Sequence, residues 1–228
     1  MDINYKRMPS AESGRLADRI SVMEAYDVLS CDYARLRSKS FPELERILTA
    51  GSYAISCDYG SGPGTNLPIL DEISKELVCL DLSLRMLELA GTKAKSQNIR
   101  HKIHLVAADI ASLPFREGAF DLSVCMAALH HLSSLDHAKA ISEIIRSSKN
   151  LGKITASIWA PVAIMRSRVS RKRGDMIWVT WRKREETIER LYYRCELGQW
   201  QYLLDSGGLI WRDIFVSGAN FFVSGLKI

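Results

Sequence analysis

From Tyr53 onward, short apolar runs alternate with amphipathic stretches of helical period. The pattern predicts strands over 53–58, 77–81, 103–108, 120–126 and 153–158, with helices over 64–75, 83–95 and 136–148 between them. Strand, helix and strand in repetition imply parallel pairing in one sheet with helices on both faces. The residues before Gly51 read as helical: 26–33 is amphipathic, and Pro42 suits the first turn of a second helix. These helices would cap the sheet. Beyond 161 the period breaks, and the chain closes with two strand-like runs, 208–216 and 220–228, around Ser217 and Gly218.

The first predicted strand ends in Asp58-Tyr59-Gly60-Ser61-Gly62-Pro63-Gly64. Three alternating glycines strip one side of a tight strand-to-helix turn, so backbone can approach a ligand closely. A dinucleotide fingerprint would place its third glycine where Thr65 stands, so an NAD reading fits poorly. The second and third strands end in Asp81 and Asp109. Three acids at successive strand ends make one crevice acidic. Such a crevice suits a ligand with positive charge and exchangeable hydrogens better than a pyrophosphate. S-adenosylmethionine has a sulfonium, an ammonium, a ribose diol and an adenine amino group.

Asp58–Gly64, Leu80-Asp81-Leu82-Ser83-Leu84-Arg85-Met86-Leu87 and Ala108-Asp109-Ile110-Ala111-Ser112-Leu113-Pro114-Phe115 together resemble the motifs of class I S-adenosylmethionine-dependent methyltransferases. The resemblance implies an α/β, Rossmann-like fold with a seven-stranded, mostly parallel sheet, a terminal antiparallel strand and an N-terminal helical cap. It also implies roles. The backbone from Tyr59 through Gly60 and Ser61 to Gly62 lines the methionine portion, and Asp58 orients its ammonium. Asp81 accepts from the ribose hydroxyls and Asp109 from the adenine amino group. Gly64, Leu82, Met86, Ile110 and Ala127 complete the cofactor set. Four segments are expected: a cap over 1–50, a cofactor-binding core over 51–161, a basic insertion over 162–200 and a closing hairpin over 201–228.

Apolar residues at 47% and charged ones at 25% are ordinary for a soluble domain, and a cytoplasmic protein without membrane spans is expected. The five cysteines are scattered without a Cys-x-x-Cys pair, and three fall inside predicted strands. They read as free thiols, and no metal site is expected. The net charge of +5 is uneven: residues 151–228 carry 13 Lys or Arg against 7 Asp or Glu. Arg166, Arg168, Arg171, Lys172, Arg173, Arg182, Lys183 and Arg184 are interleaved with Trp178 and Trp181. Cations among aromatics suit a polyanion with unpaired bases, and the run over 162–185 is expected to be a mobile insertion. His130 and His131 follow the fourth strand, where at least one would line an acceptor pocket. Asp121 begins that strand at the far end, which suits a structural role.

A narrower set of patches resembles the tRNA wobble-uridine methyltransferases that esterify 5-carboxymethyluridine. Tyr26-Asp27, Tyr33, Arg37 and Phe41-Pro42 follow that family's N-terminal series, with Leu36 and Phe41 replacing its threonine and tryptophan. Arg190 to Gln199 follows a second patch without a gap, and Val179-Thr180-Trp181 and Gly218-Ala219-Asn220-Phe221 follow two more. Leu191, Tyr193, Ala219 and the stretch Lys149–Gly152 depart from it. The resemblance implies tRNA as substrate, with Tyr192 and the basic residues in contact with it. It also implies a small zinc-ribbon activator protein at the sheet edge. His130, His131, Arg37 and Arg190 are the expected catalytic and anion-holding groups. A quinone-type small-molecule methyltransferase and a non-catalytic RNA-binding subunit are the alternatives.

Overall fold

The computed structural model describes residues 11–48, 51–183, 185–207 and 209–228. Arg184 therefore lies outside the described residues. A 26-residue helix, α1 (Ala11–Leu36), is followed by a short α2 (Pro42–Ile47). Phe41 before Pro42 is extended, at φ −69° and ψ 121°, which the proline ring enforces on its predecessor. The core then runs β1 (Tyr53–Tyr59), α3 (Leu67–Ile73), β2 (Ser74–Asp81), α4 (Leu84–Ser96), β3 (Ile103–Ala107), β4 (Phe120–Met126), α5 (Ser134–Ser147) and β5 (Ser148–Trp159). The prediction started α3 three residues too early. Gly62 and Gly64 hold φ of 54° and 75°, values that no right-handed helix admits, so the turn lasts until Asn66.

A short α6 (Pro161–Met165) leads to β6 (Val169–Arg173), β7 (Met176–Lys183) and β8 (Glu186–Tyr193), then α7 (Leu197–Ser206), β9 (Leu209–Ser217) and β10 (Asn220–Lys227). The main sheet has the order β3-β2-β1-β4-β5-β10-β9. Strands β1 to β5 pair in parallel, and β10 runs antiparallel to both its neighbours. Strand β1 lies between β2 and β4, so the chain leaves it in opposite directions and a crevice opens at the carboxyl ends of β1 and β4. Alternation assigns each face its core. On β10, Phe221 and Val223 join one apolar cluster with Tyr59, Ile144 and Trp200, while Phe222 joins the other with Leu44, Leu70 and Val124.

The basic run corrects an expectation. It is a three-stranded antiparallel sheet in the order β6-β7-β8, not an irregular loop. Gly174, at φ 61°, turns β6 into β7. Ile177 and Val179 point inward with Ile164 and Tyr192 to form a third apolar cluster. Their period of two is hidden in the sequence by Trp178 between them and Trp181 beyond. Asp121 accepts from Ile55 N at 3.0 Å and from Lys149 Nζ at 2.8 Å, far from the crevice, which agrees with a structural role.

Candidate active site

The glycine loop is hung from β2: Gly60 N and Ser61 N both donate to Leu80 O, at 2.7 and 3.0 Å. At Gly60, with φ 68°, a Cβ would lie 2.4 Å from the Ala128 side chain. At Gly62 a Cβ would meet nothing within 4 Å, because this glycine faces a cavity. That cavity, of about 120 Å³, is lined by Gly60, Gly62, Asp81, Leu82, Met86, Asp109, Ile110 and Ala127 among the expected cofactor residues. Asp58, Tyr59 and Gly64 do not line it. Tyr59 is fully buried in the core, where its hydroxyl meets Ser147 Oγ at 2.8 Å. Gly64 instead permits close packing, since a Cβ there would stand 2.5 Å from Leu67 and 3.3 Å from Ala90 Cα of α4.

The three acids differ. Asp81 accepts from Gly62 N at 2.8 Å and Ser83 N at 2.9 Å, one on each oxygen. Burial pushes its pKa up to about 6 against the pull of those N–H groups. Asp58 is 1% exposed and lies behind the loop, facing Asn66 Nδ2. Burial lifts it to about 7 although Asn66 stabilises its charge. Asp109 accepts from Ala111 N at 2.9 Å through one oxygen and pairs with Arg19 Nε at 2.7 Å through the other.

Arg19 went unnoticed in the sequence, and it belongs to α1. The same guanidinium reaches Asp136 at 2.7 Å. Asp27 accepts from the Ser83 hydroxyl, which itself caps α4 by accepting from Met86 N. Tyr26 OH lies 2.9 Å from His131 Nε2. Arg19, Met23, Tyr26 and Tyr33, all lining the first cavity, recur three, four or seven residues apart and so share one face of α1, and Arg37 just past its end lines the second. That spacing was the available signal, obscured by its mixture of charge and aromatic character.

A second cavity, of about 480 Å³, adjoins the first and shares Tyr26, Tyr33, Gly60, Gly62, Met126 and Ala127 with it. Its other walls include Arg37, Ser61, Asn66, His130, Trp159, Arg166, Arg190, Tyr192 and Asn220. Both histidines are therefore at the site, His131 on the first cavity and His130 on the second. His131 Nδ1 donates to Leu191 O at 2.7 Å, which leaves Nε2 to accept from Tyr26. Burial depresses its pKa to about 3. His130 Nδ1 accepts from Trp159 N at 3.2 Å, so the neutral ring carries its proton on Nε2. Burial holds its pKa well below the usual range. Tyr192 stacks on His130, with centroids 5.1 Å apart, and on Trp159 at 4.4 Å.

Arg190 is 6% exposed, yet its Nε has no hydrogen-bond partner, and among the described residues it makes no ion pair. Its guanidinium lies instead over the rings of Trp181, Tyr192 and Tyr26, at 4.9, 5.3 and 5.9 Å. Of the remaining expected substrate residues, Arg168, Arg171, Lys172, Arg173 and Arg182 are exposed on or beside the small sheet. Arg171 covers Trp178 at 4.1 Å and pairs with Glu189 at 3.1 Å. Lys183 turns inward and donates to Val28 O of α1 at 2.6 Å, a tie within the protein. Among the described residues no cluster of three or more His, Cys, Asp or Glu side chains could hold a metal, and no helix is long and apolar enough to cross a membrane.

Sheet order, glycine loop and acid-lined crevice define the class I S-adenosylmethionine-dependent methyltransferase fold. Residues 57–156 match the methyltransferase domain family, and that match together with structural neighbours that are S-adenosylmethionine-dependent methyltransferases supports S-adenosylmethionine as the cofactor. A tRNA (carboxymethyluridine(34)-5-O)-methyltransferase of Arabidopsis thaliana is 26% identical over 155 residues, 67% of this chain and 36% of that protein. A malonyl-[acyl-carrier protein] O-methyltransferase of Pseudescherichia vulneris is 31% identical over 147 residues, 64% of this chain and 52% of that protein. The chain thus spans about half or less of these relatives. In structure it resembles a SAM-dependent methyltransferase from Methanosarcina mazei, with a TM-score of 0.68, 16% identity, and 83% and 99% of the two chains covered. It also resembles the chain solved in complex with the Haloferax volcanii Trm112 methyltransferase activator, with a TM-score of 0.70, 13% identity, and 90% and 97% covered.

Proposed function

We propose that this chain transfers a methyl group from S-adenosylmethionine to a carboxylate, and that the acceptor is the 5-carboxymethyl group of a tRNA wobble uridine. The observation that carries the reading is Arg190. A cation this buried and without an acid partner is costly, and an incoming carboxylate would relieve that cost. Two relatives with different acceptors are both named O-methyltransferases, one of carboxymethyluridine and one of a malonyl group, and the common element is a carboxylate.

The residues fit the cofactor. Gly62 opens onto the first cavity, Asp81 keeps a free lone pair on each oxygen for ribose hydroxyls, and Leu82, Met86 and Ile110 give the adenine an apolar slot. When bound, the cofactor supplies an electrophilic methyl group. A carboxylate acceptor has a pKa of about 4 and is already ionised at neutral pH, so no general base is needed. Neither histidine is poised to be one. His131 is engaged at both nitrogens, and His130 offers a neutral Nε2–H as a donor. Arg190 holds the anion while three ring faces spread its charge. That softens its grip, so the ionised acceptor is not held more tightly than the transition state. Arg37 and Arg166 line the outer part of the same cavity, where a nucleotide phosphate would lie.

The exposed arginines and Lys172 of the small sheet continue this surface and suit an RNA backbone. An acidic carrier protein bearing a malonyl group would also suit it, and this is the second reading that the relatives support. Methylation of tRNA rich in unmethylated 5-carboxymethyluridine, followed by nucleoside mass spectrometry, tests the choice. A new methyl ester, labile to mild alkali, is expected. Label found only on a malonylated carrier would overturn the tRNA reading. We also propose that an activator protein docks along an outer strand of the main sheet, since a structural neighbour was solved with one. Unchanged solubility and activity on coexpression with such a protein would count against this.

A further inference from the structure

Strand β6 carries one residue too many for its partner. Val169 pairs with Val179 of β7, yet the next pair is Arg171 with Trp178, followed by Lys172 with Ile177 and Arg173 with Met176. Ser170 is the extra residue, and its hydroxyl lies 3.2 Å from Trp178 O and 2.5 Å from Glu189 Oε1. Because side chains alternate with a period of two, an unbroken ladder would set Arg171 beside Ile177, whose side chain is buried in the third apolar cluster. The bulge instead turns Arg171 and Arg173 to the outer face, the face of Trp178.

What gathers there is a flat aromatic surface among cations. Trp178 is half-buried, with the Arg171 guanidinium 4.1 Å from its ring, and Arg171, Arg173 and Arg182 are exposed. Arg182, four residues along β7, falls on the same face by alternation. The other tryptophan of β7 is already engaged: Trp181 faces inward, with the Arg190 guanidinium 4.9 Å and the Tyr33 ring 6.2 Å from its own ring. Arg171 is held by contacts that water weakens, since its side chain is 61% exposed and pairs with the exposed Glu189 at 3.1 Å. It can be exchanged at little cost.

We propose that Trp178 takes an unpaired RNA base. The base stacks on the indole in the place of the Arg171 guanidinium, and Arg171 leaves Glu189 for the phosphate beside that base. Arg173 and Arg182 meet the backbone on either side. The proposal rests on the tRNA reading and adds to it a contact that senses a base and not charge alone. Basic residues hold any polyanion, whereas an aromatic face favours one that carries bases.

The test is fluorescence anisotropy of the protein saturated with S-adenosylhomocysteine, using two labelled oligomers with equal numbers of phosphates: a short single-stranded RNA and an abasic-spacer chain. The wild type should bind the RNA about fivefold to a hundredfold more tightly, the range that stacking of one base supplies. Trp178→Ala should abolish that preference and leave the abasic chain bound as before, and Trp178→Phe should keep most of it. Arg171→Ala should weaken both oligomers modestly and keep the preference. Calorimetry with S-adenosylhomocysteine checks that each variant is folded. If the alanine variant is not, Trp178→Leu, which fills the space without a π-face, answers the same question. Equal loss for the two oligomers on Trp178→Ala would show a merely structural tryptophan and overturn the proposal. A preference that survived Trp178→Ala would place the base elsewhere and overturn it too. A wild type that held both oligomers equally would overturn it while leaving the phosphate surface standing. A wild type that held neither would overturn the tRNA reading, and this proposal with it.

Discussion

Arg19 Nε lies 2.7 Å from Asp109, so a residue of the N-terminal helix occupies the acid that ends the third strand's approach to the crevice. The same side chain holds Asp136 at the start of α5. Helix α1 is thereby fastened over the first cavity.

Arg19→Met should leave Asp109 and Asp136 facing each other without a cation. Loss of one partner from a mostly buried pair costs about 3 kcal/mol, so the melting temperature should fall. Cofactor association and dissociation, followed by stopped-flow fluorescence, should both quicken. Unchanged rates would show that α1 does not limit access.

Asp81→Ala should weaken S-adenosylhomocysteine binding by at least about tenfold, because two charge-assisted bonds to ribose hydroxyls are lost. The pH dependence has a definite sign. Burial raises Asp81 to about 6 and Asp58 to about 7, so the folded protein favours their protonated forms, and the stability this contributes disappears as the pH rises through those values. A ligand that donates to carboxylates favours the ionised forms. Affinity should therefore climb between pH 5 and 7 and then level off, with proton release on binding in that window. A flat calorimetric profile would rule this out.

Arg190→Lys keeps the charge and loses the planar stack on Trp181 and Tyr192. The Michaelis constant for the carboxylate acceptor should rise about tenfold or more while cofactor affinity stays the same. Equal loss of cofactor binding would place Arg190 in the wrong cavity.

Changing Arg171, Lys172 and Arg173 together to Ala should weaken tRNA binding and flatten its salt dependence, with little effect on turnover at saturation. Arg171 already pairs with Glu189, so Lys172 and Arg173 should carry most of the change. Normal tRNA affinity in the triple variant would remove the small sheet from the RNA surface.

Much of this architecture was legible because parallel strands buried on both faces read as clean apolar runs. The bounds expected for 120–126 are those of β4, and Asp81 ends β2 as the spacing implied. The glycine loop was legible as a cradle, but not the division of labour within it, since Gly64 serves packing and only Gly60 and Gly62 face ligand space. Position at a strand end suggests all three acids for the ligand; in the structure Asp81 and Asp109 line the first cavity and Asp58 does not. Strand-end position is visible in a sequence, and the choice between the two sides of a loop is not. The small sheet is hard to read because β6 is mostly charged and the tryptophans of β7 alternate with its inward Ile177 and Val179, so no clean apolar–polar period appears. The α1 face was missed because Arg19 reads as an ordinary helical arginine until its two acids, 90 and more residues away, are brought to it.

Because Gly60, Gly62, Met126 and Ala127 line both cavities, their occupants would be separated by little more than the thickness of a shared wall. One molecule joining an adenosine to a carboxylate-bearing ring through a short tether could fill both at once. The second half would then bind at a high effective concentration, and its affinity should exceed that of either half by orders of magnitude. Such a two-headed inhibitor would owe its selectivity to Arg190 and its strength to the adenosine pocket. The fold's most widely shared feature would thereby become a handle on what is particular to this chain.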